Sequence, residues 1–178
     1  MRTCTLALII LAACSTQSAS VEQLTLTEPQ QGFAIRYPAT WHAAEAGTLS
    51  DGRYQLLLVD TVEDNAYREH LRVTGELPRT GGPATNDIFV TVYQGQAQLP
   101  WNTANEAFRV WAAKRTEEEG YLNRAETMIA GQPAIQWKGS QGGGSIVMFE
   151  AHTRIYELTT SLPATATQQE IFASFRLL

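Results

Sequence analysis

The fold is decided by the stretch Gly32-Phe33-Ala34-Ile35-Arg36-Tyr37-Pro38-Ala39-Thr40-Trp41. Apolar and aromatic residues concentrated in positions 33–37 predict a strand. Pro38 is expected to end this strand, because proline has no N–H to donate to a neighbouring strand. Trp41 is expected to fold its ring back over the end of the sheet. The alternative is that Trp41 forms an exposed aromatic ledge for a partner or ligand.

The same alternation of strand-forming and turn-forming residues continues on both sides of this stretch. Turns are expected at Gly131-Gln132-Pro133, at residues 139–144 and at His152-Thr153. Together these patterns predict a largely antiparallel sheet. Its further strands are expected at residues 24–26, 54–59, 70–74, 88–93, 124–130, 134–138, 145–151 and 155–161.

Two helices are predicted from their N-terminal capping patterns. In the first, Thr103 is followed three residues later by Glu106, and Gly120 is a natural stop. In the second, Thr167 is followed by Glu170, with apolar residues at helical spacing after it. Strands arranged around two separated helices predict an α+β domain.

Several of these segments resemble PsbP-like domains, the fold group that includes the extrinsic photosystem II subunit PsbP and the Ran-binding import protein. Residues 32–41 are similar to the opening of those domains, Gly131-Gln132-Pro133-Ala134 to a middle turn, and residues 155–159 and 171–176 to their last strand and terminal helix. The resemblance implies a curved antiparallel sheet of about six to eight strands flanked by helices, as an α/β/α sandwich. Because the shared motifs are mostly structural, they imply a fold more than a function.

The N-terminus predicts export and lipidation. Arg2 precedes an apolar run over residues 5–13 that is too short to span a bilayer. The run ends in Leu11-Ala12-Ala13-Cys14, which resembles the bacterial lipobox. We expect residues 1–13 to be a signal peptide cleaved between Ala13 and Cys14, residues 14–21 to be the lipidated cysteine and a linker, and residues 22–178 to be the domain. An ordinary signal peptide with an incidental cysteine is the alternative.

Charge and cysteine content exclude several classes of protein. The 13 basic and 18 acidic side chains give a net charge of -5, the wrong sign for a nucleic-acid-binding surface. The same charge disfavours attraction to anionic headgroups, so attachment to a membrane is expected through the lipid anchor alone. Both cysteines, Cys4 and Cys14, precede the predicted domain, which therefore contains no disulfide.

No catalytic motif emerges from the sequence. The histidines His42, His70 and His152 lie in unrelated segments, and the glycine-rich stretch before Ser145 matches neither a nucleophile elbow nor a phosphate loop. We therefore expect neither catalytic residues nor a cofactor. No metal site is expected either, although weak cation binding by the loop that contains Asp60, Glu63 and Asp64 is left open.

Possible contacts for a partner or ligand are aromatic side chains and a glycine-rich turn: Tyr37, Trp41, Trp101 and Gly143. Of these we expect Trp101, in the loop before the first helix, to be partly exposed. On the first helix, Arg115 is spaced to pair with Glu119.

These observations predict a non-catalytic envelope lipoprotein, exported and lipid-anchored, that binds a protein partner in a membrane-associated assembly. The alternative is a carrier of a small molecule or lipid, held between the sheet and a helix. Ser15 follows Cys14 where an inner-membrane retention signal would have aspartate, which permits an outer-membrane location if the cell has one.

Overall fold

The computed structural model describes residues 21–60, 86–102, 105–118, 124–138 and 144–178. The predicted strand at 70–74 therefore lies outside the described residues. No helix within these ranges is long and apolar enough to cross a membrane.

The described chain forms ten strands and two α-helices. Helix α1 is Phe108–Glu118 and helix α2 is Ala166–Ala173, and a short 3₁₀ helix covers Gln96–Gln98. The strands are β1 Gln23–Glu28, β2 Phe33–Pro38, β3 His42–Thr48, β4 Tyr54–Val59, β5 Asp87–Tyr93, β6 Ala125–Ile129, β7 Gln132–Lys138, β8 Ser145–Ala151, β9 Arg154–Thr159 and β10 Arg176–Leu177.

The strands form two antiparallel sheets. A seven-stranded sheet has the order β3-β4-β5-β9-β8-β7-β6, and a three-stranded sheet has the order β1-β2-β10. After β5 the chain passes through the 3₁₀ helix and α1, forms the β6–β9 meander, and returns so that β9 pairs with β5. The predicted α+β class is confirmed, with the difference that β1 and β2 belong to a separate small sheet.

Both faces of the large sheet are covered, and each has its own core. On one face, Phe33 of β2 stacks on Phe175, which follows α2, with 5.1 Å between the ring centroids. On the other face, α1 packs Phe108, Trp111 and Ala112 against side chains of β7, β8 and β9. Every residue of β4 and β5 is buried, which explains why these central strands lack a polar–apolar alternation.

Two tight turns shape the β6–β9 meander. His152 and Thr153 have φ angles of +52° and +67° between β8 and β9, at the predicted turn. The turn between β6 and β7 differs from the prediction. It centres on Ala130 and Gly131, with φ angles of +51° and +76°, so that Pro133 lies inside β7 rather than in the turn.

Two described strands were not predicted from the sequence. Strand β3 has the sequence HAAEAGT, in which the terminal Thr48 is the only one of the β-branched residues typical of strands. It forms because it pairs with the fully buried β4 from His42 to Thr48. Strand β10 is only two residues long, and its pairing with β2 defines it.

Both helices begin at residues other than the predicted ones. Helix α1 starts at Phe108, because Asn105 has a left-handed φ of +49° and the Glu106 N–H donates to the Asn102 side chain at 3.0 Å. Helix α2 is capped by Thr165 with Gln168, not by Thr167 with Glu170. Tertiary contact favours this start, since the buried Gln168 amide also donates to the Asp87 carbonyl oxygen at 2.8 Å.

Candidate functional site: a tryptophan platform over a buried arginine

Trp101 is the most exposed large apolar side chain in the described part of the chain. Its side chain and backbone together are 69% exposed, in the loop between the 3₁₀ helix and α1. Its φ angle of +59° lies in the left-handed region, which is unfavourable for a bulky residue. Such a conformation persists only where the surrounding structure holds it.

Hydrogen bonds and apolar packing hold the loop on both sides of Trp101. The Trp111 indole N–H donates to the Pro100 carbonyl oxygen at 2.8 Å. The Asn102 amide donates to the Gln96 and Glu106 carbonyl oxygens at 3.0 and 3.2 Å. Leu99, which is 3% exposed, anchors the same loop in the core beneath α1.

Arg115 of α1 lies beneath Trp101 and is only 9% exposed. Its guanidinium carbon is 5.0 Å from the ring centroid of Trp111, 5.8 Å from that of Trp137 and 6.0 Å from that of Trp101. Cations at these distances from aromatic faces are attracted by the ring quadrupole, most strongly when water is excluded. We call Trp101, Arg115, Trp111 and Trp137 the tryptophan platform.

A carboxylate on β9 balances the buried arginine. Glu157 Oε2 lies 3.9 Å from Arg115 Nη1 and accepts a hydrogen bond of 2.9 Å from the Tyr93 hydroxyl. The other carboxylate oxygen accepts from the Thr159 hydroxyl at 3.0 Å. Arg53 covers the Tyr93 ring, with 5.9 Å from its guanidinium carbon to the ring centroid. The platform therefore rests on a polar network that spans α1, β5 and β9.

The network makes stability sensitive to high pH. Burial raises the pKa of Tyr93 well above its usual 10.0, and the Glu157 carboxylate raises it further. The folded protein thus keeps this proton while the unfolded chain releases it. The stabilisation is fully present below pH 10 and is lost as pH rises towards the pKa of the folded state, by up to about 1.4 kcal/mol per pH unit.

We expect Tyr93→Phe to lose less stability than the wild type between pH 9 and 11, because phenylalanine does not ionise. Urea unfolding across this range measures the difference. Burial also raises the pKa of Tyr156, so both proteins should retain some alkaline sensitivity. Parallel losses in the two proteins would show that Tyr93 has no raised pKa.

The structure separates the residues that the sequence suggested as contacts. Tyr37 and Trp41 are 8% and 6% exposed and pack in the core beside the small sheet, so their rings offer little surface to a partner. Trp101 is exposed, and its platform lies on the opposite face of the large sheet. Trp41 and Trp101 therefore form no shared aromatic surface. Gly143, Ala13 and Cys14 lie outside the described residues.

Three residues of the site were missed from the sequence: Arg115 as a buried ion, and its neighbours Tyr93 and Glu157. A local signal existed for the first, because Trp111 and Arg115 are four residues apart and so share one face of a helix. That face packs on the sheet. Arg115 accordingly lies 3.9 Å from Glu157. Glu119, its predicted partner, lies outside the described residues.

The described surface also has two clefts. A cleft of about 270 Å³ lies between β1, β2 and α2, and another of about 220 Å³ lies between α1 and the β6–β7 hairpin. Within the described ranges no three His, Cys, Asp or Glu side chains are grouped to hold a metal ion. Asp60 accepts a hydrogen bond from the Asn86 amide at 2.7 Å, while Glu63 and Asp64 lie outside those ranges.

Comparison with known proteins shows the fold. No family model matches the chain, and no curated protein does. The solution structure of cyanobacterial PsbP (CyanoP) from Synechocystis superposes with a TM-score of 0.51 at 12% identity, covering 94% of this chain and 99% of that one. A crystal structure from Bacteroides thetaiotaomicron gives a TM-score of 0.47 at 11% identity, over 86% of this chain and 48% of that one. The agreement with the Synechocystis protein shows that the chain folds as a PsbP-like domain.

Proposed function

We propose that the protein is a lipid-anchored envelope lipoprotein that binds a protein partner through the tryptophan platform, without catalysing a reaction. The observation that carries the proposal is a 69% exposed tryptophan held in a left-handed conformation above a buried, paired arginine. A single exposed apolar side chain is common on a protein surface. Trp101 is distinct because its loop holds it in a backbone conformation that a bulky residue does not favour, which suits a side chain displayed for contact.

Tryptophan suits this role because it contributes large contact area with few rotatable bonds, and it is enriched among the residues that dominate binding energy at interfaces. The contacts of Pro100, Asn102 and Arg115 restrict the loop before any partner arrives. Binding by an ordered loop loses less conformational entropy than binding by a flexible one. The platform is thus suited to hold a partner rather than to rearrange around it.

A binding role fits the chemistry of the site better than catalysis does. The polar groups gathered there, Arg115, Glu157 and Tyr93, are largely buried and bonded to one another. They therefore present no free base or nucleophile to a substrate. Neither of the two clefts described above, of about 270 and 220 Å³, reaches the ~300–1,000 Å³ typical of ligand pockets.

The anchor places the domain at a membrane. In this proposal Cys14 is lipidated after cleavage behind Ala13, and the acyl chains hold the protein to the membrane without help from the acidic domain. The net charge of -5 also argues against nucleic acid as the partner.

We expect Cys14→Ser to move the protein from the membrane fraction to the soluble fraction, because a hydroxyl cannot form the thioether to the lipid. Ultracentrifugation of lysed cells followed by immunoblotting measures the distribution. Cys4→Ser is the matched control, since it changes the thiol inside the predicted signal peptide and should leave the protein in the membrane. Retention of Cys14→Ser at the membrane would argue against lipid anchoring.

We expect Trp101→Ala to reduce recovery of the specific partner at least about tenfold in pull-downs from detergent-solubilised membranes. Removing a central aromatic side chain from an interface typically costs about 2 kcal/mol or more of binding free energy. Leu24→Ala is the control: Leu24 is 42% exposed and lies on β1, in the small sheet. Equal recovery with both variants, or no specific partner with the wild type, would contradict the proposal. Co-purification of a small molecule by native mass spectrometry would instead favour a carrier.

A further inference from the structure

Among the described strands, one edge of the large sheet has a regular register and no further strand beside it. Its two edge strands are β3 and β6. Strand β3 has a register irregularity between Glu45 and Gly47, the kind of bulge that discourages further pairing. Strand β6 pairs with β7 in continuous register, and its sequence AETMI contains neither lysine nor proline. Its protection against further pairing is limited to its length of five residues and the charged Glu126, which lies 3.9 Å from Arg124.

The hairpin geometry identifies which backbone groups of β6 point away from the sheet. The two-residue turn at Ala130 and Gly131 makes Ile129 and Gln132 a hydrogen-bonded pair, and such pairs then alternate along the strands. Met128 and Pro133 are consequently a non-hydrogen-bonded pair, consistent with the missing N–H of proline. The N–H and C=O groups of Glu126 and Met128 therefore face outward, where another strand could pair.

The side chains beside this edge are complementary to one another. Met128 is 59% exposed, and the Glu126 side chain is 73% exposed. Both lie on the face of the sheet that carries Ile135 and α1, and with the exposed Arg109 they line the cleft of about 220 Å³. One edge thus presents an acidic group, an apolar group and a basic group around a shallow hollow.

We propose that a second copy of this chain adds to this edge by antiparallel pairing of β6 with β6 about a two-fold axis at Thr127. In that register Glu126 of one copy pairs with Met128 of the other, so the outward N–H and C=O groups of both bond to each other. The Glu126 carboxylate then lies beside Met128 of the second copy, within reach of the Arg109 that lines the same hollow. The symmetry forms this ion pair twice and joins the two large sheets into one.

This interface uses residues other than the four of the tryptophan platform, so a failure to dimerise would not contradict the proposed partner binding. A five-residue edge buries less surface than stable dimers need. The expected dimer is therefore weak and forms over a range of about 10 µM to 1 mM.

Analytical ultracentrifugation of the purified protein, in mild detergent that keeps a lipid anchor soluble, tests the proposal. We expect the wild type to pass from monomer to dimer over that range, and amide exchange at Glu126 and Met128 to slow as the dimer forms. Met128→Pro removes an outward N–H that the β6–β7 hairpin does not use, and should weaken the dimer at least about tenfold. Met128→Ala keeps that N–H and should stay within about threefold of the wild type.

Exchanging the two charges tests the dimer even if the Met128→Pro variant does not fold. Glu126→Arg and Arg109→Glu should each weaken the dimer, and the double variant should restore it to within about threefold, because the ion pair is re-formed in the opposite sense. A protein that stays monomeric up to about 1 mM would overturn the proposal. So would a dimer that neither Met128→Pro nor the single charge reversals weaken.

Discussion

Gly144→Ala should destabilise the protein by about 3 kcal/mol or more, because the new methyl group has no space. A Cβ atom on Gly144 would lie 1.6 Å from the carbonyl oxygen of Thr160 and 2.8 Å from its carbonyl carbon. Both are backbone atoms, so no side-chain rotation relieves the overlap. The backbone segments at Gly144 and Thr160 would have to separate by more than about 1 Å to reach van der Waals contact distance.

That separation would break the bonds that close the β8–β9 pairing. The Thr160 N–H donates to the Ser145 carbonyl oxygen at 2.9 Å, and the Ser145 N–H donates to the Thr160 hydroxyl at 3.0 Å. Thr160 is only 1% exposed, so water cannot replace these partners.

Urea unfolding of the wild type and two variants measures the effect. Gly131→Asn is the control, because a Cβ there meets nothing within 4 Å and asparagine tolerates the φ of +76°. We expect the control to remain within about 1 kcal/mol of the wild type. A Gly144→Ala protein as stable as this control would show that the two backbone segments are not in contact.

Arg115→Ala should destabilise the protein by about 3 kcal/mol, which is the second large effect. The substitution removes the cation that contacts three tryptophan rings and leaves the Glu157 carboxylate, whose side chain is 13% exposed, without its positive neighbour. Near-UV circular dichroism should lose intensity as well, because the tryptophan rings lose the group that orders them. Urea unfolding measures the free-energy change.

Two further variants separate the charge from the stacking. Arg115→Lys keeps the positive charge but not the planar surface, so its stability should fall between those of the wild type and Arg115→Ala. Adding Glu157→Gln to Arg115→Ala should recover part of the loss, since it neutralises the unbalanced carboxylate. If Arg115→Ala unfolds within about 0.5 kcal/mol of the wild type, the arginine is not an organising group of the platform.

The strands that could be predicted from the sequence were those with local signals. Strands β2 and β4 concentrate branched and aromatic residues, and the turn at His152 and Thr153 follows directly from residue type. Strand β3 could not be predicted, because its alanine-rich sequence forms a strand only through pairing with β4. The start of α2 was misplaced for a similar reason, since Gln168 is selected by its bond to Asp87, 81 residues away in sequence.

Trp101 is the one residue of the candidate site that the sequence suggested as a partner contact. Trp101 was expected to be exposed because it lies in a loop beside a proline, and the structure places it there at 69% exposure. The network beneath it joins residues that are distant in sequence: Tyr93, Arg115 and Glu157. No local pattern encodes that meeting, which depends on β9 returning to pair with β5 under α1.

Photo-cross-linking in intact membranes tests partner binding through the platform most directly. A photoreactive amino acid is placed at position 101 in one protein and at position 24, on β1, in another. We expect ultraviolet light to join position 101 to one specific membrane-associated protein, whereas position 24 should give no such adduct. Equal adducts from both positions, or none from position 101, would contradict partner binding through the platform.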